Sequence, residues 1–293
     1  SYKDGEGDIL KEISAACTEY DMDMGLYLSP WDIHDDSYGY YDENGNATTE
    51  DNDYLDYNEY YNNQLKEILG NDDYGNDGHF VEVWMDGAKG SGSDAQEYDF
   101  ELWYDTIQSY EGEAAGYEAD CMLFGAGAYT TVRWIGNENG YADKNTWSKS
   151  IVDYETNSID SNDTGSYTVG YEDGNQWTVP EADARITSGW FWGTTKNTPK
   201  SISDLASMYF GSIGNNATLL LNVPPNDEGT VDQEILDRVA EFVQNIEETF
   251  DDNLAADEGA SVKADNVRGS DTAFQPGNTV DGDDSTYWTT DDG

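Results

Sequence analysis

Two carboxylates, each set at a turn and each close to a tryptophan, stand out as groups able to do chemistry. Asp86 ends the run Val81-Glu82-Val83-Trp84-Met85, which reads as a short buried strand, and Gly87-Ala88 then turn the chain. Glu138 sits further along in a second such segment, Val132-Arg133-Trp134-Ile135 followed by Gly136-Asn137-Glu138-Asn139-Gly140. Paired carboxylates at strand ends beside aromatic rings suit the cleavage of a glycosidic bond. One carboxylate attacks or stabilises the sugar cation, and the other shuttles the proton.

A frame of alternating strands and helices must position them. Apolar runs at 24–28, 80–86, 120–125, 132–135, 184–186 and 218–223 read as strands. Helical spacing appears at 8–20 with Asp8 as cap, and at 55–69, 102–110 and 202–210. In a further helix Leu236, Val239, Val243, Ile246 and Phe250 share one face, and Thr230-Val231-Asp232-Gln233 reads as its capping box. Such alternation predicts an α/β architecture with a parallel sheet. Functional residues at strand ends favour a (β/α)8 TIM-type barrel over an open sheet. Six strands are legible where eight are needed, so the expectation is a barrel missing its N-terminal strands, in a fragment truncated at both ends. The polar stretches 35–54 and 153–174 read as long rim loops. Asp42 to Asp53 has a faint calcium-loop spacing, but Ala47 stands where glycine is required.

After Phe250 the composition changes. Residues 1–252 are expected to form the partial catalytic barrel, 253–259 an acidic linker, and 260–293 the beginning of an all-β sandwich module.

The 293 residues carry 62 acidic against 13 basic side chains, a formal charge of −49. That balance excludes a basic nucleic-acid stripe and docking on anionic lipid, so neither nucleic acid nor membrane is an expected partner. Nine Trp and 22 Tyr exclude a disordered acidic tail. The reading is a halophilic surface that holds water and salt cations, because at about 1 M salt a Debye length of about 3 Å screens the self-repulsion. An ordinary acidic secreted protein is the plainer alternative. Cys17 and Cys121 both sit in apolar patterns, so neither a disulfide framework nor a metal or other cofactor is expected.

Several blocks resemble family 29 glycoside hydrolases, the α-L-fucosidases, and do so in the right order. They include residues 25–32, 57–65, Val83-Trp84-Met85-Asp86-Gly87-Ala88-Lys89-Gly90, 133–140, Val179-Pro180-Glu181-Ala182-Asp183, Trp190-Phe191-Trp192 and 219–226. The Gly-Asn-Glu-Asn-Gly form is similar to the α-1,3/1,4-selective branch. The resemblance implies a retaining exo-α-L-fucosidase acting on fucosylated oligosaccharides or glycoconjugates, at an extracellular or cell-surface location. It implies Asp86 as nucleophile and Glu138 as acid/base, with carboxyl groups about 5–5.5 Å apart. Glu181 is the alternative acid/base. Tyr27, Trp84, Arg133, Trp134, Trp190 and Trp192 are the expected substrate-binding residues, since a deoxy sugar has an apolar face that suits aromatic walls. The family's His pair has no counterpart here, and Gly193 stands where relatives often carry His. The alternatives are a catalytically inactive glycan-binding protein and a retaining glycosidase of other specificity. The residues from about 260 resemble the start of a discoidin-like (F5/8 type C) carbohydrate-binding module.

Overall fold

The computed structural model describes residues 2–49, 54–87, 90–92, 95–193, 197–252, 254–255 and 261–291. Its centre is a six-stranded, all-parallel sheet in the order β1-β2-β3-β4-β8-β9. These strands are β1 (Gly25–Tyr27), β2 (Glu82–Trp84), β3 (Met122–Phe124), β4 (Val132–Trp134), β8 (Val179–Arg185) and β9 (Thr218–Asn222). All six legible apolar runs fall on this sheet. Among the described residues one α-helix precedes β1 and four connect or follow the strands: α1 (Ile9–Tyr20), then α2 (Tyr57–Leu69), α3 (Phe100–Glu111), α4 (Ile202–Ser212) and α5 (Gln233–Asp251).

Helix starts follow from local chemistry. Asp8, Asp56, Asp99 and Ser201 each accept a hydrogen bond from a first-turn backbone N–H of α1, α2, α3 and α4. Such caps satisfy donors that a helix leaves orphaned. The start of α5 differs from the expected capping box. Its N-cap is Asp232, whose carboxylate makes no bond to the helix backbone and instead receives Trp192 Nε1 at 2.7 Å and Asn226 Nδ2 at 2.9 Å. Thr230 turns back to Asn226 Oδ1.

The core lies between the sheet and the helices, in two main bodies. Under β1 to β3, Leu26, Val83 and Leu123 pack with Tyr61, Leu65, Trp103 and Ile107 from α2 and α3. Under β8 and β9, Ala184 and Ile186 pack with Leu205, Met208, Ile235 and Phe242. Buried tyrosines use their polar tips: Tyr57 and Tyr61 donate to Pro30 O and Leu28 O, both at 2.6 Å, and so tie down the loop after β1.

The segment between β4 and β8, which includes the 153–174 stretch expected as a polar rim loop, contains structure. It forms an antiparallel sheet in the order β6-β5-β7, from β5 (Lys149–Asp153), β6 (Ser158–Asp160) and β7 (Gln176–Trp177). Its strands are short and largely exposed, so they lack the apolar alternation that marks a strand in sequence. Residues 261–291 form single 3-10 turns at Arg268–Ser270, Thr272–Phe274 and Pro276–Thr279, with no strand among the described residues. Most of the expected linker, at 253 and 256–259, and residue Asp53 of the calcium-like spacing lie outside the described residues. Asp42 itself accepts from Asn44 N, Asn46 N and Asn46 Nδ2, an internal turn. Among the described residues no group of three or more His, Cys, Asp or Glu is disposed to hold a metal, and no helix is long and apolar enough to cross a membrane.

Candidate active site

Side chains alternate across a strand, and this puts the chemistry on one face of the sheet. On β2 and its extension, Val83 and Met85 are buried in the core while Glu82, Trp84 and Asp86 line a cleft on the other side. On β8, Ala182, Ala184 and Ile186 face the core, which leaves Glu181, Asp183 and Arg185 on the opposite face. The cleft has a volume of about 990 Å³. Its lining includes Tyr27, Trp84, Asp86, Phe124, Trp134, Glu138, Asp183, Trp190, Phe191 and Asn222. Asp86 and Glu138 therefore share one cavity, although β3 separates their strands.

Strand register builds one wall. Tyr27, Trp84 and Phe124 are register partners on β1, β2 and β3. Their rings stack in a row, Trp84 on Phe124 at 3.6 Å between centroids and Tyr27 on Trp84 at 5.7 Å. The sheet also curls. Trp84 Nε1 on β2 donates to Glu181 Oε1 on β8 at 2.8 Å, across strands that would lie roughly 14 Å apart in a flat sheet.

Each acid is held by its surroundings. Tyr27 donates its hydroxyl to Asp86 Oδ2 at 2.8 Å. Desolvation and that bond push the Tyr27 phenol up to about 12, so it remains a donor at any working pH. Ser29 Oγ donates to the Asp86 carbonyl. Gly87, at φ +130°, continues the turn, and a Cβ there would lie 2.6 Å from Trp31 Cβ. Glu138 rides a loop fixed by its neighbours. Asn137 donates to Tyr141 O and Ser166 O and accepts from Asn139 N. Gly140, at φ +77°, passes so close to Ala184 that an added Cβ would sit 3.0 Å from the alanine Cβ. Trp190 Nε1 donates to Glu138 Oε2 at 3.2 Å, and Arg185 Nη1 stands 4.0 Å from the same oxygen.

Three further carboxylates lie deeper. Burial raises Asp183 above the usual carboxylate range and the Trp134 indole, bonded at 2.7 Å, partly offsets this; the charges of Glu138 and Asp86 add to the rise. Burial likewise raises Glu181, against the Trp84 bond that lowers it. Glu82 is pushed up to about 7, first by desolvation and then by the charge of Glu181, and its Oε1 is buried without a hydrogen-bond partner among the described residues. The folded state therefore holds the Glu82 proton above the pH at which an unfolded glutamate releases it. Stability from this group is full below about pH 4.5, declines as pH rises toward 7, and is then flat. In Glu82→Gln that decline should shrink by roughly 2 kcal/mol, less than the full difference because solvent screens part of it. Urea unfolding at pH 4.5 and 7.5 checks this; an unchanged pH dependence contradicts it.

Three expected site residues lie elsewhere. Arg133 is buried on the far face of β4, where it donates to Thr168 O, Thr168 Oγ1 and Trp147 O and braces the β5–β7 insert. Burial pulls its guanidinium down to about 10. It neighbours Trp134, and consecutive strand residues cannot both enter one cleft. Trp192 faces the start of α5, as described above, and is a brace for that helix. Glu181 is buried, engaged with Trp84, and is not part of the cleft lining. Tyr27, Trp84, Trp134 and Trp190 do line it. Asp183, Glu82 and Arg185 were missed in the sequence. Alternation from Glu181 would have found the two on β8, because 181, 183 and 185 share a face. Ala88 and Lys89 of the Asp86 block lie outside the described residues.

A curled parallel sheet with helices behind it, and carboxylates and indoles converging in front of it, is the arrangement of barrel-type glycoside hydrolases. Comparison with known proteins narrows the class. The Alpha-L-fucosidase family model matches residues 2–248, and the chain belongs to that family. It is 34% identical over 291 residues to Alpha-L-fucosidase 1 of Arabidopsis thaliana, covering 98% of this chain and 51% of that protein. A Ruminococcus gnavus GH29 fucosidase in complex with fucose superposes with a TM-score of 0.93 at 70% identity, over 99% of this chain and 58% of that one. The SpGH29 crystal structure superposes with a TM-score of 0.81 at 38% identity, again over 99% of this chain and 58% of that one. The chain thus spans about half the length of the curated relatives it matches.

Proposed function

We propose that this chain carries the catalytic pair of a retaining exo-α-L-fucosidase that releases terminal α-1,3/1,4-linked L-fucose from fucosylated glycans. The observation that carries the reading is the single aromatic-walled cleft lined by both Asp86 and Glu138. Asp86 attacks the anomeric carbon of fucose. The glycosidic bond breaks as Glu138 gives its proton to the leaving oxygen, and a covalent fucosyl–Asp86 ester forms. Glu138, now a carboxylate, takes a proton from water as the water oxygen bonds to the anomeric carbon. The ester bond breaks, and its electron pair returns to Asp86. Tyr27 holds Asp86 in aim, and the Tyr27–Trp84–Phe124 row offers the apolar face that fucose matches.

The test is a panel of aryl glycosides with the complete protein, followed by proton NMR of the first sugar released. The α-L-fucoside should turn over and yield the α-anomer first. Turnover confined to another glycoside would favour a glycosidase of different specificity. Tight binding of fucosides with no turnover would favour an inactive glycan-binding protein.

In this reading the protein is secreted or surface-bound. The residues from 260 are the opening of a discoidin-like module, which accords with a family match that ends at 248. The surface is salt-adapted, since the ion pairs Lys3–Glu12, Lys11–Asp73, Lys66–Glu59 and Arg238–Glu241 compensate only a few of its carboxylates. Raising salt from about 0.1 M to about 2 M NaCl should raise the thermal midpoint by roughly 5–10 °C. A midpoint that is flat or falls with NaCl would remove the halophilic reading and leave an ordinary acidic protein.

A further inference from the structure

Arg185 closes β8 on the cleft face, on the side of Glu138. Its Nη1 lies 4.0 Å from Glu138 Oε2, an ion pair without a direct hydrogen bond. Its guanidinium also stands over the Trp190 ring, 5.3 Å from the centroid. Trp190 in turn donates its indole N–H to that same Oε2. Three side chains thus form a closed triangle, and both contacts to the carboxylate go to one oxygen. Oε1 carries no protein partner among the described residues.

The backbone beneath the triangle is fixed independently. Lys200 Nζ donates to Arg185 O and to Thr187 O, so the end of β8 is pinned from behind. Asn222 Nδ2 donates to Trp190 O at 3.0 Å, which ties the tryptophan segment to β9. The Arg185 side chain is mostly shielded, with 29% of its surface exposed, and its Nε is buried without a hydrogen-bond partner. A long, mobile side chain has been given a single place, beside the proton-carrying carboxyl.

We infer that Arg185 is a positioning residue for Glu138: with Trp190 it clamps Oε2 and turns Oε1 toward the leaving oxygen. The inference rests on the acid/base reading of Glu138. The charge logic follows from what faces that carboxyl. From β8 it meets Arg185 and Asp183, and from across the cleft Asp86 with its Tyr27 hydroxyl. Arg185 is the cation among these otherwise acidic groups. A fixed cation suits this place because guanidinium keeps its charge throughout the working range and stacks on indole.

The test compares Arg185→Gln, Arg185→Met and Arg185→Lys with the parent and with Glu138→Ala in the complete protein. The substrates are a fucosylated oligosaccharide, whose leaving group needs a proton, and a dinitrophenyl α-L-fucoside, whose leaving group does not. In the Gln and Met variants, kcat on the oligosaccharide should fall about 10-fold, with KM changed less than about 3-fold. Arg185→Lys should recover only part of kcat, since ammonium keeps the charge and loses the planar stack. If Gln fails to fold, Met decides, and the reverse. Neutral variants that keep the parental kcat on the oligosaccharide overturn the inference, as does equal loss on both substrates. If Glu138→Ala keeps full activity, the acid/base reading itself has failed; if it collapses while Arg185→Gln behaves as the parent, only the role of Arg185 has.

Discussion

Asp86→Asn should lower kcat/KM on an α-L-fucoside by at least about 10⁴-fold, the scale of loss when a covalent nucleophile is removed. The substitution is nearly isosteric. Asp86 is exposed in the cleft, so no core contact is lost, and the amide oxygen still accepts the Tyr27 hydroxyl. The fold should therefore survive, and the thermal midpoint separates loss of chemistry from loss of structure. Trimming the same position to Gly opens space for a small anion. Azide should then attack the substrate directly and give the β-fucosyl azide, inverted relative to the substrate. More than a tenth of parental activity in Asp86→Asn would end the case for a nucleophile at this position.

Glu138→Ala should show a different pattern. Loss of an acid/base group costs about 10²–10⁴-fold, and the cost depends on how much help the leaving group needs. An oligosaccharide should suffer nearly the full loss. A dinitrophenyl fucoside should still form the fucosyl–enzyme and then stall for want of a base. Azide should relieve that stall and yield the α-fucosyl azide, because it attacks the covalent intermediate from the opposite face. The two variants thus give azides of opposite anomeric form. Uniform loss on all substrates with no rescue would return attention to Glu181. Its burial and its bond to Trp84 fit a structural acid, as does its place outside the cleft lining.

How much of this was legible in the sequence depends on which face of each element carries the signal. The strands at Val83, Leu123 and Leu219 announce themselves because their core-facing residues are large and apolar. The first half of β8 does not. Its core side shows only Pro180, Ala182 and Ala184, and its cleft side carries Glu181, Asp183 and Arg185, so an apolar scan starts too late. Helix α1 was marked by its Asp8 cap, and α2 to α4 by their helical spacing. At α5 the right segment was visible but the wrong start chemistry, because Asp232 answers to Trp192 and Asn226, which only the tertiary fold brings near. The carboxylates at 86 and 138 could be named from residue type and turn context. Their neighbours could not, since the Trp84–Glu181 and Arg185–Glu138 contacts cross several strands or join loop to strand. Arg133 was an avoidable miss. It sits next to Trp134, and strand alternation alone sends the two to opposite faces.

The most direct measurement of the central claim is covalent trapping. The complete protein would be incubated with a 2-deoxy-2-fluoro-α-L-fucosyl donor bearing a good leaving group, then digested with pepsin and read by tandem mass spectrometry. The fluorine slows breakdown of the ester, so the intermediate should accumulate as inactivation proceeds. One fluorofucosyl group per chain should appear, attached to the Asp86 carboxylate, with no labelling in Asp86→Asn. Label on Glu138, Glu181 or Asp183 instead, or turnover of the donor with no adduct on Asp86, would contradict the central claim.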